Sequence, residues 1–369
     1  MAKQEEYRYM RMAIREARKG QGRTSPNPCV GAVIVRDGQV VGKGYHRKAG
    51  EAHAEINALA AAGREAHGAV MYVTLEPCNH QGKTPPCTQA VLKAGIRRVV
   101  VGMKDPNPGV VGGGCEYLAA HGVEVESGLL EGACRALNYP FIKFSRTRMP
   151  WVVMKAGMSL DARITYQPGQ SGWITGEEAR LHSHGLRDRF DAIMIGVETA
   201  LIDDPSLTTR LPNGQGRDPL RVVLDSTLRL SPEARMLSQQ STADTLIFCG
   251  PEAPSSQKRK LEEAGAVVVR MENESQGRLD LQEVLATLAK REILSVLVEG
   301  GATLHGSLLR QNLVDQLFFY VAPFIIGDGG TPLVRGYEIN SADEALRLAR
   351  QRVTRLGDDL LIEGLISDI

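Results

Sequence analysis

Aromatic residues are scarce in this chain of 369 residues, 5% in all with two tryptophans, and neither sign of charge is in excess, 44 lysines and arginines standing against 43 aspartates and glutamates. A net charge of +1 leaves no positive field to hold a polyanion, which argues against DNA or RNA as a partner and for a small substrate. No apolar run is long enough to cross a bilayer. The polar start, MAKQEEYRYM, lacks the apolar stretch of a secretory signal, so the expectation is a cytoplasmic protein without a membrane partner. Cysteine is also sparse. The six, Cys29, Cys78, Cys87, Cys115, Cys134 and Cys249, are spread too widely for a disulfide framework, which leaves metal binding or plain burial. Cys29, Cys115, Cys134 and Cys249 have no partner at ligand spacing and are expected to be small buried side chains. There is no repeat of fixed period, which removes solenoid architectures.

What is present suits two α/β domains, since one hydrophobic core stops growing well below this length. In the first half, residues 9–19 read as an amphipathic helix and 29–35 as a β-branched strand. Asp37-Gly38 marks a hairpin, with 39–44 as the returning strand. A helix over 54–62 stops at Gly63, strands follow at 69–75 and 97–103, and a helix over 87–93 lies between them, ended by Gly95. The basic stretch 143–148 and Pro150 suggest a short, ordered junction, giving domains 1–148 and 149–369. Beyond it, strands are expected at 151–155, 191–196, 220–225, 245–249, 266–270, 295–299 and 316–322, with helices between several of them.

Three features of the first half carry chemistry together: His53-Ala54-Glu55 at a helix start, Pro77-Cys78 just after a strand, and Cys87 opening the next helix. One imidazole and two thiolates make three zinc ligands and leave a fourth tetrahedral position for water, the pattern of a catalytic site. Helix N-termini at His53 and Cys87 favour thiolate over thiol, and Thr84-Pro85-Pro86 looks like a helix start with a capping hydroxyl. Glu55, two residues beyond the histidine, is then the catalytic proton carrier between water, ring nitrogen and departing ammonia, as in zinc deaminases acting on aminated rings. The usual signature closes with Pro-Cys-x-x-Cys, whereas here residues 79–86 separate the thiolates.

That stretch, Pro77-Cys78-Asn79-His80-Gln81-Gly82-Lys83-Thr84-Pro85-Pro86-Cys87, resembles the zinc loop of the bifunctional riboflavin-biosynthesis deaminase/reductase family. Pro26-Asn27-Pro28-Cys29-Val30-Gly31, Gly44-Tyr45-His46 and Gly50-Glu51-Ala52-His53-Ala54-Glu55 match it too, although Asn79 stands where serine is usual. The resemblance implies a cytidine-deaminase-like three-layer domain with Zn2+. In it Asn27, His46, His80 and Lys83 would line a pocket for a phosphoribosylated pyrimidine, 2,5-diamino-6-(5-phosphoribosylamino)pyrimidin-4-one. Asn27 offers donor and acceptor to a ring amide edge, and Lys83 with the histidines suits a phosphorylated sugar.

In the second half the strongest local signal is Glu299-Gly300-Gly301-Ala302-Thr303-Leu304-His305-Gly306, directly after a strand and opening a helix, where freed backbone donors bind phosphate. No glycine fingerprint opens this half at Trp151, which disfavours the dinucleotide fold that carries one. Lys155-Ala156-Gly157-Met158-Ser159-Leu160-Asp161, Ser171-Gly172-Trp173-Ile174-Thr175, Gly196-Val197-Glu198-Thr199-Ala200 and Asp203-Asp204-Pro205-Ser206-Leu207-Thr208 resemble the reductase half of the same family, with Ala162 in place of the usual glycine. This implies a dihydrofolate-reductase-like α/β domain using NADPH, held by Gly157, Trp173, Thr199, Asp203, Ser226 and the loop Gly300, Gly301, Ala302, Thr303, Leu304, His305 and Gly306. Ser171, Arg187, Leu207, Arg210 and Glu299 would hold the substrate, with the two arginines on a ribose phosphate. Lys155 would face the sugar C1 centre, and Asp161 is a second candidate acid or base. A homo-oligomer is the expected assembly. Two rival readings share the zinc ligands: a tRNA-type base deaminase with an accessory domain, and a non-catalytic zinc-stabilised binding module, which would not need Glu55.

Overall fold

The computed structural model describes residues 2–80, 85–107, 113–212, 214–272, 274–275 and 277–367. They form two compact units, Met1–Arg148 and Met149–Ile369. In the first, the order is α1 (Ala2–Arg18), β1 (Gly31–Arg36), β2 (Gln39–Tyr45), α2 (Ala54–Ala62), β3 (Val70–Leu75), α3 (Cys87–Lys93), β4 (Arg98–Met103), α4 (Gly114–Ala120), β5 (Glu124–Ser127), α5 (Glu131–Leu137) and α6 (Tyr139–Thr147). The strands lie side by side as β2-β1-β3-β4-β5. β1 is antiparallel to both β2 and β3, whereas β3, β4 and β5 run parallel.

Neighbouring residues of a strand face opposite sides of a sheet, and glycines here show which helix covers which side. A side chain at Gly31 would run into the backbone of Ala13 and Ala17 in α1, while one at Gly44, paired with Ala32, would meet Ala58 and Ala54 in α2. Helices therefore cover both faces, the three-layer arrangement the resemblance implies. The Gly42 and Gly44 positions let α2 settle onto β2, which sets where its first residues stand.

In the second unit the order is β6 (Trp151–Ser159), α7 (Glu177–Arg189), β7 (Ala192–Gly196), α8 (Val197–Asp203), β8 (Leu220–Leu224), α9 (Arg235–Ser238), β9 (Thr245–Cys249), α10 (Ser255–Glu263) and β10 (Ala266–Arg270). It continues with β11 (Glu274–Ser275), β12 (Arg278–Leu279), α11 (Leu281–Lys290), β13 (Ser295–Val298), α12 (Ala302–Arg310), β14 (Gln316–Ala322), β15 (Arg350–Leu356) and β16 (Asp359–Leu365). Nine strands form one sheet in the order β10-β9-β8-β7-β13-β6-β14-β16-β15, parallel from β10 to β14 and antiparallel beyond. Alternation sorts its core. Met194, Val296 and Val298 pack with Val284 and Leu308 on one face; Ile193, Ile195 and Val223 pack with Ala200 and Leu261 on the other.

Several elements depart from expectation. β1 starts at Gly31 rather than at Cys29, because the buried Asn138 side chain accepts from the Cys29 N–H at 2.8 Å and donates to its carbonyl at 3.0 Å, in place of a ladder partner. The basic stretch at 143–148 is mostly the last turn of α6. Pro86 caps α3 without any side-chain hydrogen bond, so Pro85 and Pro86 precede the helix; Thr84 lies outside the described residues. β5 and β15 carry no strong apolar signature, and β15 is an exposed edge strand rich in arginine.

Gly44→Ala places a methyl group 2.3 Å from the Ala58 nitrogen and 2.4 Å from the Ala54 carbonyl oxygen. Overpacking of this kind should cost about 1–3 kcal/mol, read as a lowered urea midpoint of the first unit with the second unit's transition unmoved.

Candidate active sites

β3 runs out at Leu75 and delivers Cys78 to the carboxyl edge of its sheet, where α2 and α3 both begin. His53 is the N-cap of α2 and Cys87 the first residue of α3. The start of α3 is laid onto Cys78: the Cys87 N–H donates to Cys78 Sγ at 3.4 Å and the Thr88 N–H to the Cys78 carbonyl at 3.3 Å. His53 Nδ1 stands 3.5 Å from Cys78 Sγ and 3.3 Å from Cys87 Sγ, and the three donor atoms lie within 4.8 Å of one another. The Cys78 thiol is pulled down to about 4, chiefly by its hydrogen bond with Cys87, whose own thiol is held up in turn. Two sulfurs and an imidazole this close form a donor set that a tetrahedral soft cation satisfies, so the residues fit zinc.

In the first turn of α2, Glu55 is buried, and burial raises its carboxyl to about 7. Its Oε2 has no protein partner. A carboxylate so placed can take up and return a proton near neutral pH. Beside it, His46 follows β2 and is buried; its Nδ1 lies 3.2 Å from the Ala52 carbonyl and so carries the proton. Nε2 then accepts from Asn27 Nδ2 at 3.1 Å, and burial, the largest influence, keeps this imidazole below its ordinary pKa. That bond orients the Asn27 amide. The His46 and His53 rings meet edge to face at 5.2 Å. His80 is exposed, and Lys83 lies outside the described residues. Cys29, Cys115, Cys134 and Cys249 are buried, form no disulfide and are not part of this cluster.

In the second unit a cavity of about 1280 Å³ opens along the carboxyl edge of the sheet. Gly157 of β6, Glu299-Gly300-Gly301 after β13, Gly196 at the end of β7 and Ser226 after β8 line it in the order of the strands. Ligands of open parallel sheets collect at this edge, where the strand order reverses. Thr199, Asp203, Ala302, Thr303, Leu304 and His305 also line it. The space and the bare glycine backbone at the start of α12 fit a dinucleotide.

At the β6–β13 end, Arg187 grips Glu299 through two bonds of 2.8 Å and gives a third, at 2.9 Å, to the Thr208 carbonyl. Lys155 Nζ lies 3.5 Å from the same carboxylate. Burial alone would raise Glu299, but Arg187 and Lys155 hold it well below the usual carboxylate range, so it stays ionised. Lys155 is buried, and the loss of water lowers its pKa despite Glu299.

Other expected residues lie elsewhere. Ser171 and Trp173 are exposed, Trp173 beneath the Arg180 guanidinium at 5.1 Å, and neither lines the cavity. Arg210 is exposed and meets His184, its Nε 3.4 Å from the ring Nε2. The Leu207 side chain is taken up by the core. Gly306 sits inside α12, where a side chain would strike the Arg335 carbonyl at 1.8 Å; it serves close packing and not the cavity. Asp161 accepts from Ser159 Oγ at 2.6 Å and from the Ile326 and Gly327 amides, bonds that hold it down to about 2 and make it a loop organiser, not an acid or base. The cavity also shows Glu198, Arg229, Gln282 and Arg310, which sequence reasoning passed over. Glu198 and Arg229 follow strands closely, and the habit of ligands to gather there is the signal that could have found them.

Two family models match the chain: "Cytidine and deoxycytidylate deaminase zinc-binding region" over residues 3–103 and "RibD C-terminal domain" over residues 150–362. Riboflavin biosynthesis protein RibD of Bacillus amyloliquefaciens is 42% identical over 99% of this chain and 97% of its own length. The chain belongs to the RibD family. RibD of Escherichia coli strain K12 is 39% identical, with 97% of this chain and 98% of that protein covered. Among solved structures, Acinetobacter baumannii RibD is similar at a TM-score of 0.86 and 36% identity, covering 98% of this chain and 99% of that one. A diaminohydroxyphosphoribosylaminopyrimidine deaminase/5-amino-6-(5-phosphoribosylamino)uracil reductase from Thermotoga maritima is similar at a TM-score of 0.86 and 34% identity, with 98% and 99% covered. Like the family, the chain is a bifunctional deaminase and reductase of riboflavin biosynthesis acting on a small molecule, with zinc and NADPH as its cofactors. Among the described residues no helix is long and apolar enough to cross a membrane.

Cys87→Ser should reduce zinc from about one ion per chain to well under half after dialysis, as measured by atomic absorption. A second expectation concerns pH. Burial, then the neighbouring Arg187 and Arg210, lowers His184 from 6.5 to about 4, and burial does the same to His305. Between these values the unfolded chain takes up protons that the folded unit refuses, so stability present above pH 6.5 is lost as pH falls toward 4. Both tryptophans, Trp151 and Trp173, lie in the second unit, so their fluorescence in urea titrations at stepped pH reads this loss, and His305→Gln should flatten it.

Proposed function

We propose that the first unit, 1–148, removes the 2-amino group of 2,5-diamino-6-(5-phosphoribosylamino)pyrimidin-4-one, and that the second, 149–369, reduces the ribosyl group of the resulting 5-amino-6-(5-phosphoribosylamino)uracil to ribityl. The observation that carries the first assignment is the pairing of the His53, Cys78 and Cys87 donor set with a buried carboxyl of raised pKa at Glu55. Zinc, when bound, supplies Lewis acidity toward a water molecule. Glu55 takes one proton from that water and gives it to the ring nitrogen as C2 gains the oxygen, then carries the remaining hydroxyl proton to the amine, so that the C2–nitrogen bond breaks, C2 becomes a carbonyl and ammonia leaves. Asn27, oriented by His46, presents its amide to the ring edge, and His80 and Lys83 serve the ribose phosphate.

In the second unit NADPH, when bound, supplies the hydride that the sugar C1′ receives. A proton must reach the ring oxygen released from C1′. Lys155, buried beside Glu299, is the group we assign to it, and ionised Glu299 accepts from sugar hydroxyls. Ser171, on the loop between β6 and α7, and Leu207 and Arg210, on the loop between α8 and β8, are the substrate's remaining contacts, and Arg187 acts on the substrate while holding Glu299. Gly157, Thr199, Asp203, Ser226 and the Gly300–His305 segment hold the cofactor, with Trp173 on the bordering loop. The near balance of charge supports a free small-molecule substrate over a nucleic acid. Six cysteines without a disulfide among them support a reducing, cytoplasmic setting, and general frequency supports a homo-oligomer, which light scattering would test.

Glu55→Gln should lower ammonia release at least roughly a hundredfold, keep its zinc, and still consume NADPH when given the deaminated product. Glu299→Gln should do the reverse. Ammonia release that survives in Glu55→Gln, or loss of both activities in either variant, would overturn the assignment.

A further inference from the structure

We infer that Arg229 recognises the 2′-phosphate of the dinucleotide and is the residue that sets NADPH above NADH, an inference that rests on the cofactor reading of the second unit's cavity. The strand order decides which end of the cavity takes which end of the cofactor. Lys155 and Glu299, the groups fit for substrate, sit on and just after β6 and β13, and the bare backbone of Gly300 and Gly301 follows. β7 and then β8 lie beyond, so Ser226, just past β8, is three strand spacings from β6, roughly 14 Å along the edge. A dinucleotide with its nicotinamide over β6 and its pyrophosphate at the glycines brings its adenosine ribose to β8.

The turn that follows β8 is built to present two groups there. The buried Asp225 carboxylate accepts the Leu230 N–H at 2.8 Å, its carbonyl accepts the Leu228 N–H at 3.1 Å, and the Ser226 carbonyl accepts the Gly250 N–H at 2.9 Å. Leu228 and Leu230 are buried beneath the turn, whereas Ser226 and Arg229 line the cavity. Arg229 meets a partner that solvent screens: its Nη2 donates to Glu198, in the first turn of α8, at 2.5 Å, with both side chains about half exposed or more. A phosphate dianion offers a guanidinium a stronger, forked partner than this exposed carboxylate does. The other cations of the cavity are placed otherwise. Lys155 is at the opposite end with Glu299, Arg310 donates to the Gly336 carbonyl and Ser307 Oγ, and Arg335 lies against the start of α12, its N–H donating to the Ala302 carbonyl at 3.0 Å. Arg278, on the short strand β12, is the rival at the outer end.

The test uses the full chain and two probes, adenosine 2′,5′-bisphosphate and AMP, in calorimetry, with NADPH and NADH kinetics beside them. Arg229→Gln should weaken the bisphosphate and raise KM for NADPH by roughly ten- to a hundredfold, leaving AMP binding, NADH kinetics and kcat unchanged; Arg278→Gln should leave all of them unchanged. Equal weakening of both probes, no weakening of either, or transfer of the whole effect to Arg278→Gln would overturn the assignment of Arg229 while the cofactor reading stood. If the wild-type chain binds neither probe and oxidises neither cofactor, the cofactor reading itself fails, and the inference with it.

Discussion

A carboxylate taken out of water must find cations or pick up a proton, and each unit is arranged around one that has met this constraint differently. Glu55 is buried with one oxygen unpartnered and sits near the middle of the pH range, where it can change state. Glu299 is slightly less enclosed but clasped by Arg187 and approached by Lys155, and is locked as an anion. The first is suited to moving protons. The second is suited to holding a polar substrate and keeping a lysine close to it.

Both outcomes depend on how backbone reaches the carboxyl edge of a sheet. In the first unit, glycines in β2 allow α2 to lie against the strand, so that His53 and Glu55 start a helix beside the end of β3 and the Cys78 sulfur. In the second, β13 is inserted between β7 and β6, so the glycine pair after it opens at the centre of the cavity, with Lys155 on one side and the turn after β8 on the other. Parallel strands deliver their loops to one edge, and function gathers there.

Much of this was legible in the residues. Helix α2 and its stop, α3, the hairpin at Asp37-Gly38 and the seven parallel strands of the second unit, β6 to β10, β13 and β14, were readable because apolar periodicity and turn residues act over a few positions. Asn138 closing over Cys29, Arg187 clasping Glu299 from 112 residues away and the antiparallel pair β15–β16 were not, since each depends on partners far along the chain. Gly306 misled for the same reason: a glycine near a phosphate-type loop and a glycine against a distant carbonyl look alike in a string of letters.

By itself the sequence determined the kinds of chemistry: three soft metal ligands with a carboxyl two residues from the first, a glycine pair after a strand, and a charge balance unsuited to polyanions. Only the tertiary structure decided which of those groups share water-free space, since burial and cross-chain pairing set the protonation of Glu55 and Glu299. It also decided that Arg229 stands at the cavity while Gly306 does not, because position along the edge of a sheet is fixed by strand order, which local propensity does not encode.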